Sequence, residues 1–189
     1  MVSDGKGNEA EGKIILINKD LIQASKISVK ENIPEINKQV ILYCAILKKE
    51  NFELVCQKAT EVGVSKIIPV ISERTIKLGL KEERLKMIIK EAAEQSGRVI
   101  IPELGEPIDF SDAVVSAMGI RIIFDPDGEV MGKVNDEKEV SIMIGPEGGW
   151  SDVEIKKTIE QGWRIASLGD LTLRAETAAI IASYLVCQK

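Results

Sequence analysis

Two stretches decide the reading of this chain: Ile142-Met143-Ile144-Gly145-Pro146-Glu147-Gly148-Gly149-Trp150-Ser151 and Ser167-Leu168-Gly169-Asp170-Leu171-Thr172-Leu173-Arg174-Ala175-Glu176-Thr177-Ala178. Each follows an apolar run of strand character and precedes an amphipathic helix. Two strand–turn–helix units in succession, with glycine where the chain turns, build a crevice at the carboxyl ends of parallel strands. A small ligand would sit there. Gly145, Gly148 and Gly149 let the backbone approach that ligand or take up positive φ, and Pro146 stiffens the turn. The plainer reading is a tight connection that binds nothing.

The turns do not match a phosphate site. Neither G-x-x-x-x-G-K-[ST] nor G-x-G-x-x-G is present, which argues against a nucleotide or dinucleotide cradle. Glu147 disfavours phosphate; it complements a cationic ligand, or simply favours the N-terminus of the next helix. Arg174 opens the last helix against the dipole, and Glu176 is too near in sequence to face it. Such a local inconsistency is where function is expected.

Working outward, Ser151-Asp152-Val153-Glu154 matches a capping box, so a helix runs from Ser151 to about Gly162. Residues 163–167 read as a short strand and 174–187 as the closing helix. Upstream, strands are expected at 140–144 and 120–124, the latter ending in the turn-rich loop Asp125-Pro126-Asp127-Gly128. Helices are expected at 110–118 and 82–97, the latter with Leu85, Ile88, Ile89, Ala92 and Ser96 inward, and 103–107 is a loop. The run 40–47 is apolar throughout, as suits a strand buried on both faces. A helix at 51–62, capped by Gly63, and a strand at 66–71 complete a right-handed β-α-β crossover. The class is α/β with a mostly parallel sheet. Residues 32–37 read as a linker, 12–18 and 24–30 as an antiparallel strand pair, and 1–11 as loop.

Composition bounds the chemistry. With 189 residues and 44% hydrophobic content, the chain supports one substantial core plus a small attachment. No apolar run approaches the roughly 20 residues of a membrane span, and the first residues are not a secretory start. A soluble, cytoplasmic protein is expected. There is no histidine, which removes the commonest general base, the Ser-His and Cys-His nucleophiles and most zinc sites. No metal is expected. Cys44, Cys56 and Cys187 read as buried, reduced thiols that pack as small hydrophobes. A net charge of −5 does not describe a general nucleic-acid binder, so any RNA contact needs a local basic patch.

Taken together, the two turns resemble the RsmE family of SPOUT-class methyltransferases. Upstream segments agree: Gln57-Lys58-Ala59-Thr60-Glu61-Val62-Gly63-Val64, Ser72-Glu73-Arg74, and Glu91-Ala92-Ala93-Glu94-Gln95-Ser96-Gly97-Arg98. The resemblance implies S-adenosylmethionine-dependent methylation of uracil N3 in 16S ribosomal RNA of the small subunit. It implies helices on both faces of the sheet, a deep C-terminal trefoil knot over residues 38–189, and a homodimer. It implies a cofactor pocket from Phe124, Asp125, Ile144, Gly145, Pro146, Glu147, Gly148, Gly149, Leu168, Gly169, Leu173, Glu176 and Thr177. Its acid matches the positive sulfonium of the methyl donor. Arg174 is the candidate for stabilising charge on the base, and Arg74 and Arg98 for RNA phosphates. With no histidine, the proton acceptor is a carboxylate or water.

Two departures stand out. The segment 1–37 is shorter than the PUA-like β-barrel of the family, so it reads as part of one. Leu171 stands where many members carry a basic residue. Three other readings are carried forward. They are methylation at a different RNA position, a non-catalytic RNA or ribosome-assembly module, and a nucleotide-binding α/β protein.

Overall fold

The run Gln39–Ala45 (β4) lies at the centre of a parallel sheet and divides its side chains between two cores. Val40, Leu42 and Cys44 point to one face, Tyr43 and Ala45 to the other, all almost fully buried. That explains why the run is apolar without alternation: a strand covered on both faces has no solvent side. In this computed structural model residues 1–31, 38–76, 79–132 and 137–188 are described. The expected linker at 32–37 falls outside them.

Around β4 are Lys49–Val62 (α1), Lys66–Ile71 (β5), Glu82–Ser96 (α2), Glu103–Leu104 (β6), Ile108–Asp109 (β7) and Phe110–Ser116 (α3). Then follow Ile120–Val130 (β8), Glu139–Ile144 (β9), Asp152–Glu160 (α4), Arg164–Ser167 (β10) and Ala175–Cys187 (α5). The strand order is β10-β8-β9-β4-β5-β6, with β7 also on β5, and each of these pairings is parallel. One core joins the sheet to α1, α2 and α5; Phe52, Val55, Ile89, Ala179 and Val186 belong to it. The second joins it to α3 and lies around Phe110, Val114, Trp150 and Trp163. Gly63, at φ 111°, and Gly97, at φ 73°, close α1 and α2 in the left-handed conformation.

The expected class and order of elements hold, with local differences. The stretch expected as a loop at 103–107 carries the short edge strand β6. On α2, Leu85, Ile89 and Ala92 are buried as expected, but at its C-terminal end Ala93 is buried and Ser96 exposed. The expected loop after Phe124 is carried within β8, which continues to Val130. Its pairing with β10 jumps: Ile165 faces Ile123, but Ala166 faces Glu129. Residues 124–128 therefore bulge out of the ladder, and turn chemistry and strand continuity are both satisfied. At Gly128 the two backbones come so close that a Cβ would lie 2.6 Å from the Ala166 carbonyl carbon.

The first residues are strand rather than wholly loop. Val2–Ser3 (β1), Glu9–Ile17 (β2) and Ile22–Lys30 (β3) form a separate antiparallel sheet. Asp4 builds the β1–β2 turn, accepting from the Lys6 and Asn8 amides at 2.7 and 3.1 Å. This sheet meets the rest of the chain at Gly5, whose carbonyl accepts from the Ile101 amide at 2.9 Å, and at Gly7, whose amide donates to Val99. The apolar side chains of β2 and β3 are largely exposed.

Because only hydrogen fits at Gly128, Gly128→Ala should force β8 and β10 apart. The expected loss is about 1–3 kcal/mol of stability, read as a lower urea midpoint. An unchanged midpoint would contradict the close approach.

Candidate functional site

Parallel pairing brings the carboxyl ends of β4, β8, β9 and β10 to one edge of the sheet. The turns leaving them enclose a cavity of about 720 Å³, the size range of small-ligand sites. Three walls define it: the β8 bulge at Phe124 and Asp125, the turn after β9 at 144–150, and residues 168–176 between β10 and α5. Every residue expected to bind the cofactor lines it except Thr177, which is half-buried on the first turn of α5. Arg174 lines it as well.

The glycine turn is held from three sides. The Trp150 ring packs under Gly145, where a Cβ would come within 3.0 Å of it, and the indole N–H donates to the Phe124 carbonyl at 3.1 Å. Packing against Trp150 therefore already requires glycine at 145. From the β5–α2 loop, Arg74 Nη1 donates to the Gly148 carbonyl at 2.7 Å. Glu154 completes the capping box at Ser151: its carboxylate accepts the Ser151 amide, and its own amide donates to the Ser151 hydroxyl. The same carboxylate accepts the Glu73 amide at 3.0 Å, tying that loop to the start of α4. Gly149, at φ 68°, and Gly169, at φ 117°, adopt conformations that side chains disfavour, with open space beside each.

Glu147 lines the cavity, but its hydrogen bond does not go to the start of α4. It is exposed, and its Oε1 accepts from the Lys48 amide at 3.3 Å, at the start of α1 rather than of α4. The buried acid of the cavity is Glu176, in the first turn of α5, with 8% of its surface exposed. Its Oε2 is fully enclosed and has no hydrogen-bond partner. Arg174, the N-cap of α5, is exposed and makes no side-chain cap bond. Neither residue takes part in an ion pair among the described residues. A free guanidinium and a buried orphan carboxylate in one wall provide for a ligand of mixed charge.

The two expected RNA-contact arginines separate. Arg74 stands at the cavity beside Gly148. Arg98 lies at the other end of the sheet, where Nη1 donates to the Thr60 and Val64 carbonyls at 3.0 and 2.7 Å and so closes the C-terminus of α1. Lys48, Asn51, Pro126, Trp150, Leu171 and Thr172 also line the cavity and were not picked out as site residues by the sequence. Trp150 was within reach, since it stands directly after the glycine turn; Lys48 and Asn51 arrive only through strand order.

No thiol offers a nucleophile here. Burial pushes the Cys56 and Cys187 thiols up to about 12, and Cys44 higher still. Among the described residues no cluster of three or more His, Cys, Asp or Glu side chains can hold a metal ion. No helix of the described residues is long and apolar enough to cross a membrane.

A parallel sheet with this crevice defines an α/β ligand-binding domain, and comparison with known proteins narrows it. The RNA methyltransferase domain family matches residues 34–186. Ribosomal RNA small subunit methyltransferase E of Mesomycoplasma hyopneumoniae is 36% identical over 150 residues, covering 75% of this chain and 66% of that protein. The crystal structure of ribosomal RNA small subunit methyltransferase E from Neisseria gonorrhoeae, bound to S-adenosyl methionine, superposes with a TM-score of 0.89 at 29% identity. It covers 96% of this chain and 78% of that one. A protein of Legionella pneumophila in complex with the cofactor SAM superposes with a TM-score of 0.86 at 34% identity, again covering 96% and 78%. The chain belongs to the RNA methyltransferase domain family, in its ribosomal RNA small subunit methyltransferase E branch. It spans 63–66% of the length of the first curated relatives it matches. Membership removes the nucleotide-binding reading, in agreement with the missing phosphate loop.

The Glu154 carboxylate serves two amides in a partly buried junction. Glu154→Ala should cost about 2–4 kcal/mol, because both donors lose their acceptor. Chemical denaturation measures it, and a loss below about 0.5 kcal/mol would show that the junction does not depend on it.

Proposed function

We propose that this chain transfers a methyl group from S-adenosylmethionine to N3 of a uracil in 16S ribosomal RNA of the small subunit. The observation that carries the reading is the cavity itself, with its exposed, unpaired Arg174 and its buried, unpaired Glu176 in one wall. An orphan carboxylate fits a cationic methyl donor, whereas a phosphate ligand would face it as a like charge. Residues 144–149, Leu168, Gly169 and Leu173 would hold the donor largely through backbone groups, with Phe124 and Asp125 as the third wall. The donor supplies an electrophilic methyl group on a sulfonium.

The rest of the chemistry belongs to the chain. Loss of the imide proton puts negative charge on the uracil ring. Arg174, which lines the cavity, is the proposed group that meets it with a full positive charge. Fixed walls contribute alignment of the two reactants, and the contacts to Gly145, Gly148 and Glu154 serve that end. Arg74 and Arg98 are the proposed phosphate contacts. Arg74 is the stronger of the two, since it stands at the cavity while Arg98 closes α1.

The domain assignment follows the same reading. Residues 1–37 are assigned to part of a PUA-like β-barrel and a linker, and 38–189 to the SPOUT domain with a trefoil knot. In favour of the knot, α5 packs on α1, β4 and β9, although β10, which precedes it, lies beyond β8 at the sheet edge. A homodimer is supported by the apolar outer face of α5, where Tyr184 and Leu185 are 51% and 46% exposed. The proposed cellular site is the cytoplasm, with the ribosome.

Arg174→Ala should abolish methylation of undermodified small subunits while changing the calorimetric Kd for S-adenosylmethionine by less than about 3-fold. Full turnover in that variant would remove Arg174 from the chemistry. Leu185→Glu should shift sedimentation from dimer to monomer, since a charge placed in an apolar contact is costly; an unchanged dimer would locate the interface elsewhere.

A further inference from the structure

Glu176 is the one charged side chain of the cavity wall that is both buried and without a partner, and that demands an explanation. Its Oε2 is enclosed by protein and accepts no hydrogen bond. A carboxylate removed from water is unfavourable unless paired or hydrogen-bonded. Two features reduce the cost without removing it. Glu176 sits in the first turn of α5, where the helix dipole favours negative charge, and it borders a cavity. The nearest cation in sequence, Arg174, is exposed at the N-cap and forms no ion pair among the described residues. The other acid of the glycine turn, Glu147, is exposed and engaged with the Lys48 amide. Lys48 also lines the cavity and makes no ion pair among the described residues, which leaves the Glu176 carboxylate open to a cation bound in the cavity.

Resting on the methyl-donor reading above, we infer that Glu176 reads the sulfonium charge of the donor and thereby distinguishes donor from product. Methyl transfer breaks the bond from sulfur to the methyl carbon, leaves the electron pair on sulfur, and forms the carbon–nitrogen bond. Sulfur is a cation before the step and neutral after it. The amino and carboxylate groups of the amino-acid moiety are the same in both molecules. A carboxylate beside sulfur holds the donor, loses its partner when transfer is complete, and so weakens the hold on S-adenosylhomocysteine. Glu176 is a specificity-determining residue in this account, and its effect is a ratio of two affinities rather than a rate.

The test is calorimetric titration of the whole chain and of Glu176→Gln with S-adenosylmethionine and, separately, S-adenosylhomocysteine. Glutamine keeps the shape and removes the charge. The expected result is a weakening of S-adenosylmethionine by at least about 10-fold, with S-adenosylhomocysteine changed by less than about 3-fold. Glu176→Asp, which keeps the charge at a shorter reach, should retain part of the preference, and thermal melts of both variants report that they are folded. Equal weakening of both ligands would mean that Glu176 holds the amino group or the fold, and would overturn the inference. So would an unchanged ratio. If the unaltered chain bound neither ligand, the methyl-donor reading itself would fall, and the inference with it.

Discussion

Parallel register is the constraint on which the rest of this molecule depends. Each pairing in the large sheet is parallel, so every strand must return by a crossover and every strand leaves at the same edge. The bulge of β8, the glycine turn after β9 and the approach to α5 converge for that reason alone. They are far apart in sequence and adjacent in space. Reversing one strand would take its turn to the opposite edge and open the cavity.

Given that frame, the site is held by a few bonds that cross between turns. Trp150 links the glycine turn to β8, Arg74 and Glu154 link it to the β5–α2 loop, and Glu147 links it to α1. Each joins segments far apart in sequence: two amides and two carbonyls find partners where loops meet. Charged side chains serve here as structural acceptors and donors. Arg174 and Glu176 are among the cavity residues whose charge is not spent on the fold.

Much of this was legible in the sequence. The apolar run of β4, the capping box of α4 and the Gly63 stop depend on local patterns, and local patterns can be read without coordinates. The cavity residues followed from the family resemblance, and all but Thr177 line it. What the sequence did not reveal is of another kind. Glu147 borders the crevice as its turn suggested, but which acid of the cavity is buried depends on packing, and that acid is Glu176. Arg98 is basic and sits in a matching motif, but its bonds to Thr60 and Val64, which close α1, depend on how α2 ends against α1 and could not be read from the motif. Lys48 and Asn51 carry no motif that marks them. They reach the cavity because β4 lies beside β9, which no spacing in the chain reveals.

The central claim is that the cavity serves methyl transfer to uracil N3. The most direct measurement is mass mapping of 16S ribosomal RNA after incubating undermodified small subunits with this chain and S-adenosylmethionine. The account predicts one new methyl group, on N3 of a single uridine. Transfer to another atom or another base would contradict it, as would binding of the donor with no transfer at all.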